Sequence, residues 1–371
     1  MTKQPRTVLA VIETDGPGGA ETVFLELLRN LDPARWRGIA VIPGTGWLHD
    51  QLVHSGVETY IVPERSTLDY RYFARLARLV RHHHVSLLHG HLLGSSIRVA
   101  MLSRLVGIPA IATLHGAADI GQRERFFAIK RLLLRRLCRV VYVSQSLSVE
   151  LHEQLDIPGL SSTVIPNGID ASRFRSAGRS SFRASLGIAD DEFVVGSVGN
   201  LNAAKGFDVL LRAVALIRSQ GVKLRAVIVG DDIGRESAAL RAMHRTLGLS
   251  DAVIFTGFRK DIPDALASFD IYALTSRSEG FAISLVEAMA AACPVVATRC
   301  GGPEYIVDHE ETGILVENGS PEAVAEALLR LYEDPRLATR LGNAARASVT
   351  ERYTLDAQAL LYQKEYDSCA R

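Results

Sequence analysis

Long apolar runs are missing from this chain. No stretch of its 371 residues approaches the roughly 20 consecutive apolar positions of a membrane span. The run Val8 to Ile12 is too short for the core of a signal peptide and is closed by Glu13. Cysteine is scarce: the four residues Cys138, Cys293, Cys300 and Cys369 have no metal-ligand spacing, so reduced thiols in a cytosolic protein are expected. Net charge is nearly absent as well, and a formal +1 gives no reason to expect nucleic acid as a partner. These absences describe a soluble cytoplasmic protein, with peripheral contact at the inner face of a membrane left open.

What is present is an ordinary globular composition, 47% hydrophobic and 22% charged. A chain of 371 residues is long for one core and suggests two domains. Charge is divided unevenly between the parts. Residues 1–170 carry 19 Lys and Arg against 15 Asp and Glu, the remainder 23 against 26, and nine of the eleven His lie in the first part. The excess sits in Gln122 to Arg139, with seven basic residues and one acidic.

Short apolar strands alternate with helical patterns throughout. In the first part strands are predicted at Thr7–Thr14, Gly38–Ile42, Glu58–Val62, Val85–His89, Ala110–Leu114 and Val140–Ser144. Helices are predicted from about Ala20 to Asn30 and at 70–81, 95–106, 123–138 and 146–154. A second series follows at Phe193–Gly199, Ala226–Val229, Val253–Thr256, Ile271–Leu274, Val295–Thr298 and Ile314–Val316. Continuous buried strands separated by helices imply parallel sheets covered on both faces. The expected fold is α/β, two doubly wound Rossmann-like domains facing an interdomain cleft. Their expected limits are 1–170 and 171–350, with 351–371 as a C-terminal helix able to cross back to the first domain.

The richest stretch runs from Ser276 to Ala290 and sets Glu279 and Glu287 eight positions apart across a loop that leads into a helix. Gly280 sits in the turn, while Phe281, Leu285, Val286, Ala288 and Met289 fit one buried helical face. If helical throughout, the two carboxylates are on the order of 12 Å apart along the axis. That is longer than the about 5 to 9.5 Å between the paired carboxyls of a glycosidase. The spacing suits acceptors at opposite ends of a ligand rich in hydroxyls, with a helix N-terminus between them suited to phosphate.

Several further stretches join it in order: Gly18-Gly19-Ala20-Glu21; Val164 to Asp170; Phe193 to Gly206, including Asn200 and Lys205; Thr256-Gly257-Phe258-Arg259; Pro294 to Thr298; and Gly301-Gly302. As an ordered set over nearly the whole chain they resemble the retaining, two-domain (GT-B) glycosyltransferases. Glycogen synthases and bacterial mannosyl- and glucosyltransferases share that organisation.

The resemblance implies a hexosyltransferase and assigns roles. Glu279 would bind hydroxyls of the transferred sugar, and Glu287 those of the ribose. The backbone N–H groups of Gly280, Phe281, Ala282 and Ile283 would meet sugar and diphosphate. Lys205 would neutralise the leaving diphosphate. Many relatives carry Arg where this chain has Asn200, which can donate a hydrogen bond but brings no charge. Arg259 falls where relatives contact the nucleotide base. Gly18 and Gly19 match the N-terminal glycine loop that faces the donor phosphates or the acceptor, and also read as a plain strand-to-helix turn. His115 matches the active-site histidine, and His91 would line the acceptor side; backbone-satisfied core or rim histidines are the alternative for both. Arg81-His82-His83-His84 reads as a polar helix end rather than a metal site.

No Asp-x-Asp triplet is present, and neither metal nor cofactor is expected. The implied partners are a UDP- or GDP-sugar and a glycan or lipid-linked acceptor of envelope polysaccharide assembly. Residues 123–137 form a basic amphipathic segment that would either lie on anionic lipid or present a solvated basic face. A nucleotide-sugar epimerase and a non-catalytic sugar-binding homologue are the competing functions.

Overall fold

The computed structural model describes residues 4–64, 66, 69–116, 127–155, 157, 159–174, 179–231 and 235–370. The chain forms two compact units, Met1–Gly168 with Leu355–Arg371, and Ile169–Thr354. The division lies two residues before the expected boundary at 170. The return to the first unit comes at Leu355, after both helices of the tail have been separated.

The first unit is built on β1 (Arg6–Ile12), β2 (Trp36–Ile42), β3 (Glu58–Ile61), β4 (Val85–His91), β5 (Ala110–Leu114), β6 (Arg139–Tyr142) and β7 (Ser162–Val164). They form one parallel sheet in the order β3-β2-β1-β4-β5-β6-β7. Six strands were expected. β7 is the seventh, three residues long and opening on Ser162 and Thr163, too short and polar for an apolar signal. Helices cover both faces, so β1 is apolar at consecutive positions and Val8 to Ile12 are at most 2% exposed.

The second unit holds β8 (Val194–Val198), β9 (Arg225–Val229), β10 (Val253–Gly257), β11 (Ile271–Leu274), β12 (Val295–Thr298) and β13 (Ile314–Val316). They too are parallel, in the order β10-β9-β8-β11-β12-β13. In both sheets the direction of winding reverses beside the first strand, between β1 and β4 and between β8 and β11. Crevices for ligands open beyond the carboxyl ends of strands at such reversals. Glu13 to Gly19 follow β1 and His91 ends β4; Gly199 to Lys205 follow β8 and Glu279 comes after β11.

The tail is two helices, Pro335–Arg352 and Leu355–Cys369, broken at Tyr353-Thr354. The break falls where the chain passes back to the first unit. Tyr362 and Tyr366 of the last helix are fully buried in the first unit's core, among Val8, Phe24, Trp36 and Ile111. Asp367 accepts from Trp36 Nε1 at 3.0 Å and pairs with Arg35; Glu365 pairs with Arg139 at 2.7 Å.

The last helix also corrects the expectation of four reduced thiols. Cys369 is joined to Cys138 in a disulfide with Cα atoms 5.9 Å apart, while Cys293 and Cys300 remain thiols. The two partners are 231 residues apart in sequence. Only the docking of the final helix beside the start of β6 brings them together.

Among the described residues, no helix is long and apolar enough to cross a membrane.

Candidate active site

In the second unit the chain leaves β8 through Gly199 and turns sharply at Ala203–Lys205, a single 3-10 turn. Asn202 caps it, its Oδ1 accepting from the Lys205 N–H at 3.2 Å. Gly206 follows with φ +60, and a Cβ there would lie 2.0 Å from the Thr275 carbonyl oxygen. Both the left-handed backbone and the missing side chain are therefore required. This close approach sets the Lys205 loop against the loop that leaves β11. Arg277 strengthens the seam: its backbone N–H donates to Ala204, and its guanidinium donates to the Ala203 carbonyl at 3.0 Å and pairs with Asp208 at 2.7 Å.

The two loops meet in an ion pair. Lys205 Nζ lies 2.7 Å from Glu279 Oε1, and the Ser276 hydroxyl donates to the same oxygen at 2.6 Å. Among the described residues Glu279 Oε2 has no partner. Glu279 is held by its backbone as well. Its N–H donates to the Cys300 carbonyl at 3.1 Å, and its own carbonyl accepts from Gly302 at 2.8 Å. A Cβ at Gly302 would come within 3.1 Å of the carbonyls of Glu279 and Gly280. The pair is mostly buried, the side chains being 24% exposed for Lys205 and 11% for Glu279. A charge-assisted bond there is strong, and removing one partner strands the other.

The helix Ile283–Ala290 starts later than an unbroken helical reading of Glu279 to Glu287 assumes. Only its last five positions in that interval are helical, so the axial separation inferred from sequence does not apply. Ala282 precedes the first turn and supplies no side-chain cap. Among the described residues, the N–H groups of Gly280, Phe281 and Ala282 have no acceptor. The Ile283 N–H, expected to be open with them, donates to the Phe281 carbonyl at 3.0 Å. Phe281 itself packs edge-on against Tyr353, with ring centroids 5.6 Å apart.

Glu287 lies in the second turn and is half-buried. Desolvation pushes its carboxyl up to about 7, and the Arg173 guanidinium opposes that shift. It is therefore poised to change charge near neutrality. Asn200 is exposed just beyond β8. Arg259 is committed to Asp261, with Nε 2.8 Å from Oδ1, and stacks over Phe182 at 5.1 Å. The structure thus brings Lys205 and Glu279 into contact, sets Glu287 on the helix that follows, and ties Arg259 to an internal partner.

In the first unit Gly18 is the extended N-cap of the helix Gly19–Arg29, and its carbonyl accepts from the Thr22 N–H and hydroxyl. A Cβ on Gly18 would lie 2.3 Å from Glu21 Oε2, so the acid closes over the glycine. Gly19 is exposed beside it.

His115 follows β5 and is half-buried, its Nε2 3.1 Å from His91 Nδ1. Burial lowers its proton affinity, to about 3, so its ring is neutral. His91 does not line an acceptor surface: it is 0% exposed, behind His115 and edge-on to Phe24. His89, in the same strand, is a satisfied core histidine. Its ring nitrogens meet Tyr366 Oη and Thr113 Oγ1, each at 2.8 Å. His89 and His91 close β4, but the tyrosine of the last helix that meets His89 lies 277 positions away in sequence, beyond the reach of strand periodicity.

Ser276 and Arg173 were not singled out from the sequence. Ser276 stands three residues before Glu279 with an ordinary loop signature, and Arg173 follows the connector at 165–170, far from the glutamates in sequence. In the basic segment, residues 123–126 lie outside the described residues. Of the remainder, Leu134 and Leu137 are buried, and Leu132, Arg135 and Arg136 are exposed.

Comparison with known proteins agrees with these two parallel-sheet units. Residues 178–348 match the family model Glycosyl transferases group 1, and residues 17–173 match Glycosyltransferase Family 4. D-inositol 3-phosphate glycosyltransferase of Corynebacterium jeikeium is 32% identical over 303 residues, covering 76% of this chain and 72% of that protein. N-acetyl-alpha-D-glucosaminyl L-malate synthase of Bacillus anthracis is 27% identical over 315 residues, covering 84% and 82%. The crystal structure of Anabaena HepE in complex with UDP-glucose superposes with a TM-score of 0.87 at 24% identity, covering 98% of this chain and 99% of HepE. The chain belongs to the group 1 glycosyltransferases, with the two Rossmann-like domains of the GT-B fold.

Proposed function

We propose that this glycosyltransferase is retaining and metal-independent, moving a hexosyl unit from a UDP- or GDP-sugar to a hydroxyl of a glycan or lipid-linked acceptor. The observation that carries the reading is the Lys205–Glu279 pair at the reversal of the second sheet, with Glu279 Oε2 and three successive backbone N–H groups left open beside it. That is a cation, an acceptor and a set of donors within one loop system, which is what a sugar diphosphate needs. The crystal structures of HepE with UDP and with UDP-glucose support a uridine nucleotide.

Without donor, Lys205 and Glu279 neutralise each other. With donor bound, Glu279 accepts from sugar hydroxyls and Lys205 turns toward the diphosphate, whose charge grows as the bond to the anomeric carbon breaks. The acceptor oxygen attacks from the same face, and its proton passes to the departing diphosphate oxygen. The protein's part is positioning and charge stabilisation, so no side-chain base is required. Glu287 would hold the ribose hydroxyls.

A thermal-shift comparison of UDP, GDP and ADP reads out the base, and incubation with a panel of nucleotide sugars reads out the chemistry. Release of free nucleotide only with an acceptor, unchanged by EDTA, supports the reading. Interconversion of donor sugars would point to an epimerase instead, and binding without turnover to a sugar-binding homologue.

Peripheral contact with anionic lipid through residues 123–137 is part of the same proposal, supported by the exposed Leu132, Arg135 and Arg136. Vesicle flotation unaffected by neutralising the two arginines would remove it.

A further inference from the structure

Tyr353 ends the helix Pro335–Arg352 and is 5% exposed, a phenol enclosed within the second unit. Its backbone is fixed from two sides. The N–H donates to the Val349 carbonyl at 3.0 Å, and the carbonyl accepts from the Ile169 N–H at 2.9 Å. Its side chain reaches two different segments. The ring meets that of Phe281 with centroids 5.6 Å apart and planes inclined by 66°. The hydroxyl donates to the Tyr305 carbonyl at 3.0 Å, an acceptor shared with Arg352 Nη2 at 2.9 Å. The Arg352 guanidinium lies 5.1 Å from the centre of the Tyr353 ring and holds the phenol on that side.

Those segments are the two sides of the loop proposed to hold the donor. Phe281 is the middle one of the three residues whose N–H groups have no acceptor among the described residues. The stretch precedes the helix Ile283–Ala290, and Ala282 supplies no side-chain cap. Its side-chain anchor is the Phe281 ring, 9% exposed and packed on Tyr353. On the other side, the Tyr305 N–H donates to the Gly302 carbonyl at 3.1 Å, and the Gly302 N–H donates to the Glu279 carbonyl at 2.8 Å. Gly301 forms a parallel bridge with Glu279. One side chain therefore touches the open N–H groups' segment through its ring, and the turn that holds Glu279 through its hydroxyl.

We propose that Tyr353 is a positioning residue that keeps the N–H groups of Gly280, Phe281 and Ala282 in register with the Glu279 carboxylate, so that diphosphate and sugar are met together. The proposal rests on the glycosyltransferase reading of that loop. Tyr353 acts through Phe281 and Tyr305 and not by touching the donor. Misplacing reacting or binding groups by about 1 Å costs on the order of a hundredfold in rate, so a small shift of this loop is read in turnover.

The test compares Tyr353→Leu and Tyr353→Phe in the full chain. Tyr353→Phe keeps the ring against Phe281 and leaves the Tyr305 carbonyl to Arg352, whereas Tyr353→Leu removes the ring. The first readout needs no nucleotide. The ¹⁵N heteronuclear NOE values of Gly280, Phe281 and Ala282 are expected to fall in Tyr353→Leu and to stay parental in Tyr353→Phe. The second is kinetic: with the donor that the panel selects, kcat/KM is expected to fall about tenfold to a hundredfold in Tyr353→Leu and to stay within about threefold of the parent in Tyr353→Phe. Combined with Phe281→Leu, Tyr353→Leu should lower kcat/KM little further, because both changes remove the same contact. Unchanged NOE values in Tyr353→Leu overturn the proposal, as does simple additivity with Phe281→Leu, which marks two independent packing losses. Should Tyr353→Leu not fold, Phe281→Leu removes the ring contact from the other side, and unchanged NOE values there at Gly280 and Ala282 overturn the proposal equally. A fall in the NOE values with no transfer by the parent counts against the glycosyltransferase reading and leaves the positioning contact standing.

Discussion

Lys205 and Glu279 hold one another in an ion pair, and under the proposed function each serves a different part of the donor. Replacing Lys205 with Met leaves Glu279 mostly buried beside Ser276 with no cation. Lys205→Met is expected to lower kcat about a hundredfold to a thousandfold, as for loss of one preorganised electrostatic partner, in steady-state assays. Glu287 carries a separate, pH-dependent signature. Its carboxyl is raised from 4.5 to about 7 in the folded chain, so the folded state binds more protons than the unfolded state between those values. This group's contribution to stability is thus complete below about 4.5 and is lost as pH rises toward 7. Ribose hydroxyls favour the ionised form, so the nucleotide should bind more tightly at pH 8 than at pH 6 and release protons near pH 7. Calorimetry in buffers of different ionisation enthalpy checks this, and Glu287→Gln should flatten the dependence. A pH-independent affinity in the parent would refute the ribose assignment.

At the scale of elements, the alternation of strand and helix is legible because short buried strands are apolar at consecutive positions, with only an occasional Thr. Ala110–Leu114, Ile271–Leu274, Val295–Thr298 and Ile314–Val316 begin and end where the sequence places them. What escapes the sequence is contact at long range. β7 pairs only because Val140 to Tyr142 lie alongside it. The Lys205–Glu279 pair joins residues 74 positions apart, through a close approach that a single glycine permits. Gly206→Ala, with φ +60 and the Thr275 carbonyl 2.0 Å from the new Cβ, is expected to cost about 2 kcal/mol or more in urea unfolding. It should also slow transfer by displacing Lys205.

Across the whole molecule, the C-terminal segment decides how the first unit is completed. Its helix supplies Tyr362, Tyr366 and Cys369 to a core whose other buried members precede Gly168. Tyr362→Ala is expected to destabilise that unit by about 3 kcal/mol or more, judged by denaturant unfolding, because it empties a fully buried aromatic site. A disulfide between Cys138, just before β6, and Cys369, 231 residues later, is equally invisible to spacing rules, which see only four scattered cysteines. Family membership was legible, since it rests on an ordered set of local motifs. The core role of His89 was not, since its Nδ1 is met by Tyr366 of the last helix.

The proposed donor site stands on Glu279, paired with Lys205, as its sugar-binding part. Its most direct test is a side-by-side transfer assay of the parent and Glu279→Ala with the donor that the panel selects, the product's anomeric configuration being read by NMR. Transfer with retained configuration in the parent and none in the variant, at unchanged circular dichroism, is the expected result. Transfer by Glu279→Ala at the parental rate would contradict it.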